Sequence, residues 1–217
     1  MTRLFLIRHG ESVAQVEQFV SGHDTCRGLS DLGRRQAEAL RDRLARTKEI
    51  QADVVLTSIL PRAIETAQII APAIGGGDAL QDCDLCEIHA GEAEGLTWVE
   101  FGEKYERGDG WDPNQPAAPG GESWYGFGER VARALERYTA EHSGKTIVAV
   151  VHGGIVEHAV SKYLDLDAAH NRPGHLINTS ITELVYEENQ FRAGPPRWVL
   201  QRFNDAAHVL DLPASSR

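Results

Sequence analysis

Leu4-Phe5-Leu6-Ile7-Arg8-His9-Gly10-Glu11-Ser12 is the stretch that decides the fold of this 217-residue chain. Four apolar residues run into a guanidinium, an imidazole and a glycine, as a buried strand does where it leaves the sheet. Ile147-Val148-Ala149-Val150-Val151 is a longer run of the same kind and leads into His152-Gly153-Gly154. Val54-Val55-Leu56 is a third, followed by Thr57-Ser58 and then Arg62. The intervening segments have helical spacing. Ser30 can cap a helix with Ala37, Leu40 and Leu44 on its apolar face. Ser58 can cap a second, carrying Leu60, Ile64, Ala67 and Ala71, with Pro61 tolerated in the first turn and Gly75-Gly76-Gly77 stopping it. Ser123 can cap a third, with Trp124, Phe127, Val131, Leu135 and Tyr138 as core positions. A fourth spans about 154–164, and strand-like segments follow near 177–186 and 198–203. Alternating strands and helices predict an α/β protein, a three-layer α/β/α sandwich around a mostly parallel central sheet. The expected organisation is one domain over 1–210, with a short helical or loop excursion over the site at about 88–125, and a tail at 211–217.

Composition narrows the function classes. Lys plus Arg number 22 and Asp plus Glu 32, a formal charge of −10. That balance disfavours nucleic acid and anionic membranes as partners, since both need a cationic surface. It leaves room for a small anionic substrate, which needs only a local cluster of cations. No apolar run approaches the roughly 20 residues of a membrane span. Leu4 to Ile7 meets Arg8 at once, so no secretory signal is expected. Cys26, Cys83 and Cys86 are too few for a disulfide framework. The expectation is a cytoplasmic protein, with a homodimer left open.

In an open α/β sheet, reactive residues lie just beyond the C-terminal ends of the strands. Neighbouring parallel strands would bring Arg8-His9, Ser58 with Arg62, and His152-Gly153 to one edge. Two imidazoles and two guanidiniums beside helix N-termini at 58 and 153 suit a phosphoryl group carrying about two negative charges. A neutral imidazole is a competent nucleophile, and Arg8 beside His9 favours the neutral form. A second histidine and two arginines can neutralise the equatorial oxygens. Phosphoryl transfer needs mostly positioning and charge stabilisation, so neither metal nor cofactor is required. The leaving alkoxide needs a proton, which a carboxyl group near a phosphate dianion is suited to supply. Asp82, Asp84, Glu87, Glu92 and Glu94 are all candidates, and these residue types alone do not choose among them.

Arg8-His9-Gly10-Glu11-Ser12 resembles the signature of the histidine phosphatase superfamily, in the branch that also holds phosphoglycerate mutases. The resemblance runs over nearly the whole chain. It includes Leu29-Ser30-Asp31-Leu32-Gly33 with Gln36-Ala37, and Ser58 with Arg62-Ala63 and Glu65-Thr66-Ala67. It continues through Glu87, Gly91 and Glu94-Gly95-Leu96-Thr97, then Pro119-Gly120-Gly121-Glu122-Ser123, and ends at His152-Gly153-Gly154. The resemblance implies that His9 is the phosphorylated nucleophile. By it, Arg8, Arg62 and His152 form the phosphate pocket, and Glu87 is the general acid and later the base for water. It also points to Gln15, Ser21, Gly22, Ser58, Gly153 and Asn178 as substrate- or phosphate-binding residues, with Ser180 beside Asn178 at the pocket edge. Two positions depart from the family pattern, Gln15 for Asn and Ala93 for Trp, and both bear on substrate shape.

Other readings are weaker. Cys83-Asp84-Leu85-Cys86 has redox spacing but does not open a helix after a strand. His23 and His89 can border the pocket, and no histidine shows metal-ligand spacing. Val151-His152-Gly153-Gly154 can read as an esterase oxyanion strand, but the chain has no Gly-x-Ser-x-Gly elbow. A phosphate-binding protein without activity would usually lack the nucleophile or an arginine. A mutase must hold a second anionic group, whereas the 96–121 segment carries Glu100, Glu103, Glu106, Asp109 and Asp112 against Lys104 and Arg107. Its Trp98, Phe101, Tyr105 and Trp111 can form an apolar wall. The expectation is a metal-independent phosphatase acting on a small phosphorylated metabolite, with mutase-type transfer as the alternative.

Overall fold

A computed structural model describes residues 1–105, 110–170, 173–188 and 194–213. Glu106, Arg107 and Asp109 of the acidic excursion, and 214–217 of the expected tail, lie outside the described residues.

Six strands form one sheet: β1 (Thr2–Arg8), β2 (Val54–Thr57), β3 (Leu80–Gln81), β4 (Thr146–Val151), β5 (Ile181–Glu187) and β6 (Arg197–Asp205). Their spatial order is β3-β2-β4-β1-β5-β6. The first four are mutually parallel, and β5 and β6 form an antiparallel edge. The helices are α1 (Val13–Glu17), α2 (Asp31–Thr47), α3 (Pro61–Ile74), α4 (Trp98–Tyr105), α5 (Trp124–Glu141) and α6 (Gly153–Tyr163).

Strand periodicity divides the core in two. Leu4, Leu6, Ile147, Ala149 and Val151 face α5 and α6, where they meet Phe127, Val131, Leu135, Ile155 and Ala159. Phe5, Ile7, Val148 and Val150 face the other way, onto Leu40 and Leu44 of α2 and Ala67, Ile70 and Ile74 of α3. This is the three-layer sandwich expected from the alternation. Trp124, Phe127 and Tyr138 pack in or against the core.

Local chemistry sets the helix ends. Ser30 Oγ accepts from the Gly33 N–H at 3.0 Å, and Ser123 Oγ from that of Gly126 at 3.0 Å. Gly75 ends α3 with φ at 71°, a conformation that favours glycine. Three boundaries differ from the sequence reading. α3 starts at Pro61 with Leu60 as its N-cap, so Ser58 does not cap it and no helix N-terminus lies at 58. Proline at the first position has no N–H to be capped. α6 starts one residue early, with His152 as N-cap. β5 starts at Ile181 because Thr179 takes φ 60° and turns the chain first.

Candidate active site

The sheet order β2-β4-β1 puts three strand ends side by side, with Arg8 in register with Val151 and Thr57 with Val150. His9 and His152 follow directly, and their ring centroids are 5.1 Å apart. Both are buried. The His9 N–H donates to the Val151 carbonyl at 2.9 Å, which holds the loop onto β4 as β1 ends. Gly10 is a position that requires glycine, since a Cβ there would lie 2.4 Å from the Gly33 carbonyl oxygen.

Hydrogen bonds select both imidazole tautomers. His9 Nδ1 lies 2.6 Å from the Gly10 carbonyl oxygen, which can only accept. Nδ1 therefore carries the proton, and Nε2 keeps its lone pair. Arg62 Nε donates to His9 Nε2 at 3.2 Å and to His152 Nδ1 at 3.3 Å. His152 consequently holds its proton on Nε2 and donates it to Ser58 Oγ at 2.8 Å. Burial first, then the charges of Arg62 and Arg8, push the His9 imidazole well below its usual pKa. Burial, followed by Arg62 and His9, does the same to His152. Both rings are neutral near pH 7.

The guanidiniums are placed by the same strand end and by the first turn of α3. Arg8 donates through one terminal nitrogen to the Leu176 carbonyl, while its buried Nε has no partner. An unsatisfied buried cationic donor is costly unless an anion meets it. A Cβ on Gly153 would lie 3.7 Å from that nitrogen. Arg62 is also buried and donates at 3.4 Å to Ser21 Oγ and at 3.3 Å to Cys26 Sγ.

A cavity of about 220 Å³ opens beside this set, lined by Ser21, Gly22, Leu60, Glu87, Ile88, Glu94 and Gly120, among others. Glu87 receives the Gly154 N–H on Oε2 at 3.0 Å and its neighbour Ile88 N–H on Oε1 at 3.1 Å. Its carboxylate thus sits on the first turn of α6, two residues from His152. A Cβ on Gly154 would lie 2.3 Å from Glu87 Oε1, so only glycine lets the carboxylate approach. The rival carboxylates are otherwise engaged. Asp82 and Asp84 pair with Arg137, and Glu92 is exposed. Burial opposes ionisation of Glu94, but the Thr25 and Asp24 donors outweigh it and hold the carboxyl below the usual range.

Several other sequence-chosen residues are tied to the site through hydrogen bonds or close packing. Gln15 completes a capping box with Ser12 at the start of α1, which the sequence reading did not include. Its amide pairs with that of Asn178, at 3.1 Å and 3.3 Å, and Asn178 Nδ2 donates to the His9 carbonyl at 3.0 Å. The pair braces the backbone behind His9. Ser180 is buried and accepts the Arg8 N–H through its carbonyl at 3.2 Å. Gly22 lines the cavity, with Glu94 where a Cβ would go. The expected aromatic wall is not there. Trp98, Phe101, Tyr105 and Trp111 are absent from the cavity lining; Phe101 and Tyr105 pack on Val20, Ala93 and Ala118, and Trp98 and Trp111 are exposed.

One residue that matters went unread. Arg130, buried on α5, donates at 3.0 Å to the Asp84 and Cys86 carbonyls and at 3.3 Å to that of Glu87. Glu122 completes it, accepting from Arg130 at 2.6 and 2.8 Å. Together they hold the loop that carries Glu87. The available signal was an arginine three residues from Phe127 and four from Ala134, on an otherwise apolar helix face.

A parallel-sheet edge with two neutral imidazoles, two buried guanidiniums and a neighbouring carboxylate defines a phosphoryl-handling enzyme class. The chain belongs to the histidine phosphatase superfamily (branch 1), whose sequence profile matches residues 4–197. It is 33% identical over 211 residues to phosphoglycerate mutase-like protein 4 of Arabidopsis thaliana, covering 95% of this chain and 86% of that one. It is 30% identical over 213 residues to the metal-independent phosphoserine phosphatase of the same plant, covering 96% and 84%. Among solved structures, a mutant phosphoserine phosphatase from Entamoeba histolytica in complex with phosphoserine superposes with a TM-score of 0.75 at 28% identity, covering 97% of this chain and all of that one. Among the described residues, no helix is long and apolar enough to cross a membrane.

Proposed function

We propose that the protein is a metal-independent phosphatase that hydrolyses a small phosphomonoester through a phosphohistidine on His9. The observation that carries this reading is the His9 tautomer: Nδ1–H is tied to the Gly10 carbonyl, and the Nε2 lone pair faces the Arg62 guanidinium. In the first step Nε2 attacks phosphorus and the bond to the ester oxygen breaks. Glu87 gives its proton to the departing alkoxide. The Arg62 N–H groups and the Arg8 Nε stabilise the equatorial oxygens, which is most of what phosphoryl transfer asks of a protein, while His152, its one proton held by Ser58, accepts from Arg62 and helps aim that guanidinium. In the second step Glu87 takes a proton from water, the water oxygen attacks phosphorus, and the P–N bond breaks. Inorganic phosphate leaves and Nε2 regains its lone pair, with Nδ1–H unchanged throughout.

The size of the cavity favours a small leaving group. Phosphoserine and 3-phosphoglycerate are natural first probes, since related phosphatase structures hold them. Among the described residues, the cavity lining contains Glu87 and Glu94 but no lysine or arginine, which favours hydrolysis over mutase chemistry on a substrate with a second anion. The test is phosphate release from a panel of phosphomonoesters in excess chelator, with trapping of the phosphoenzyme. Wild type should turn over at least one of them, and His9→Ala should lose both turnover and phosphoenzyme. Wild-type rates in His9→Ala would refute the nucleophile. Glu87→Gln should slow alkyl phosphates by about 10²–10⁴-fold and activated aryl phosphates far less. Conversion of 3-phosphoglycerate to its 2-isomer in the presence of the bisphosphate primer would favour the mutase instead.

A further inference from the structure

The cavity wall also holds two imidazoles that the proposed chemistry does not use. His23 Nε2 lies 3.2 Å from Cys83 Sγ, and His89 Nε2 lies 3.8 Å from the same sulfur. All three ligand atoms fall within 4.8 Å of one another. A tetrahedral ion with ligand bonds of about 2.0–2.3 Å separates its ligand atoms by about 3.3–3.8 Å. The three side chains therefore need only small adjustments to enclose one ion.

A second observation concerns orientation. Glu122 Oε2 accepts the His89 backbone N–H at 2.9 Å and lies 3.7 Å from His89 Nδ1. That carboxylate is itself held by Arg130. Beyond hydrogen-bond distance, its charge still favours a proton on Nδ1 electrostatically and leaves the Nε2 lone pair toward the sulfur. We propose that His23 Nε2, Cys83 Sγ and His89 Nε2 bind a zinc-class divalent ion at the cavity wall, with water in the fourth position. One sulfur and two imidazole nitrogens select a borderline-soft ion over magnesium or calcium.

Burial pushes the His89 imidazole down. Burial, then the neighbouring Cys86, pushes the Cys83 thiol up to about 11, so the ion must displace its proton on binding. Nothing in the spacing of positions 23, 83 and 89 announced this cluster, because the loop after α1 folds back over the loop carrying Glu87. Two ligands belong to the wall of the cavity that Glu87 also lines. An occupied site consequently obstructs access and lowers turnover; this consequence rests on the phosphatase reading, whereas the binding does not.

Cobalt(II) titration of the whole protein tests the site without substrate. The expected result is one equivalent bound, with a thiolate-to-cobalt charge-transfer band that zinc displaces. Cys83→Ser should abolish the band. It should weaken zinc by more than the roughly 10–100-fold that loss of an outer-shell partner costs. His23→Gln changes an exposed side chain and should also weaken zinc, with the fold checked by circular dichroism. No uptake, a band that survives Cys83→Ser, or equal affinity for magnesium would overturn the proposal. For the consequence, zinc should slow phosphate release by wild type with a half-effect near its Kd. Equal slowing of the Cys83→Ser variant would assign inhibition to capture by His9 and His152 and refute the obstruction.

Discussion

Replacing Gly154 by alanine tests whether Glu87 acts from the place the fold assigns it. The new methyl carbon would lie 2.3 Å from Glu87 Oε1 and 2.7 Å from Phe127 Cε1, where ordinary contact begins at 3.4 Å. Phe127 is fully buried, so the first turn of α6 must shift off its ring and the carboxylate must retreat by about 1 Å, a displacement that can cost on the order of 10²-fold in rate. Overpacking costs about 1–3 kcal/mol, and the better helix propensity of alanine offsets about 1 kcal/mol of that. The fold should therefore survive with a modest fall in Tm. The assay is phosphate release from one alkyl and one nitrophenyl phosphomonoester. The alkyl ester should lose about 10²-fold in kcat, and the aryl ester, whose leaving group needs no proton, far less. Added to Glu87→Gln, the alanine should cost little more, because both act through one carboxylate. Alkyl-ester rates within twofold of wild type, or equal losses on the two esters, would refute the reasoning.

Three further outcomes are expected. Ser58→Ala leaves the His152 Nε2–H and the Leu60 N–H without their buried acceptor, which should cost about 1–3 kcal/mol in a urea melt and about tenfold in kcat; an unchanged rate would mean that the His152 tautomer does not matter. Arg130→Met frees the Asp84, Cys86 and Glu87 carbonyls, and should lower kcat on alkyl esters more than on aryl esters while the Ki of inorganic phosphate holds; a uniform loss would indicate general unfolding. Acid should destabilise the fold through His208, which burial and then Arg43 hold down at about 4. The unfolded chain binds that proton below about 6.5 and the folded chain does not, so stability rises with pH and up to about 3 kcal/mol is lost between pH 6.5 and 4. His9 and His152 act in the same direction. Thermal melts of His208→Gln should show a shallower fall over that window, and an unchanged slope would remove His208 as a cause.

Much of the site was legible because it sits where strands end. Arg8, His9 and His152 follow the two most apolar runs, and Arg62 follows the third at one helical turn. Any parallel packing of those strands brings them together. Local chemistry likewise announced Ser30 and Ser123 as caps. Gln15 also completes a capping box, Ser12 with Gln15 three residues on, a local signal that the sequence reading left out. The aromatic residues of the excursion divide: Phe101 and Tyr105 have a nearer target in Val20, Ala93 and Ala118, and Trp98 and Trp111 stay exposed.

By itself the sequence determined the layered α/β class, the strand ends that carry the imidazoles and guanidiniums, and the membership that their motifs mark. These follow from short-range periodicity, which each segment expresses alone. Tertiary structure decided that Glu87 lies on the first turn of α6 beside His152, which nitrogen of each imidazole keeps its proton, and that His23, Cys83 and His89 lie together. Each of those depends on contacts between segments tens of residues apart, through which a carbonyl, a glycine without a Cβ or a buried arginine selects one geometry from several that the local sequence permits equally.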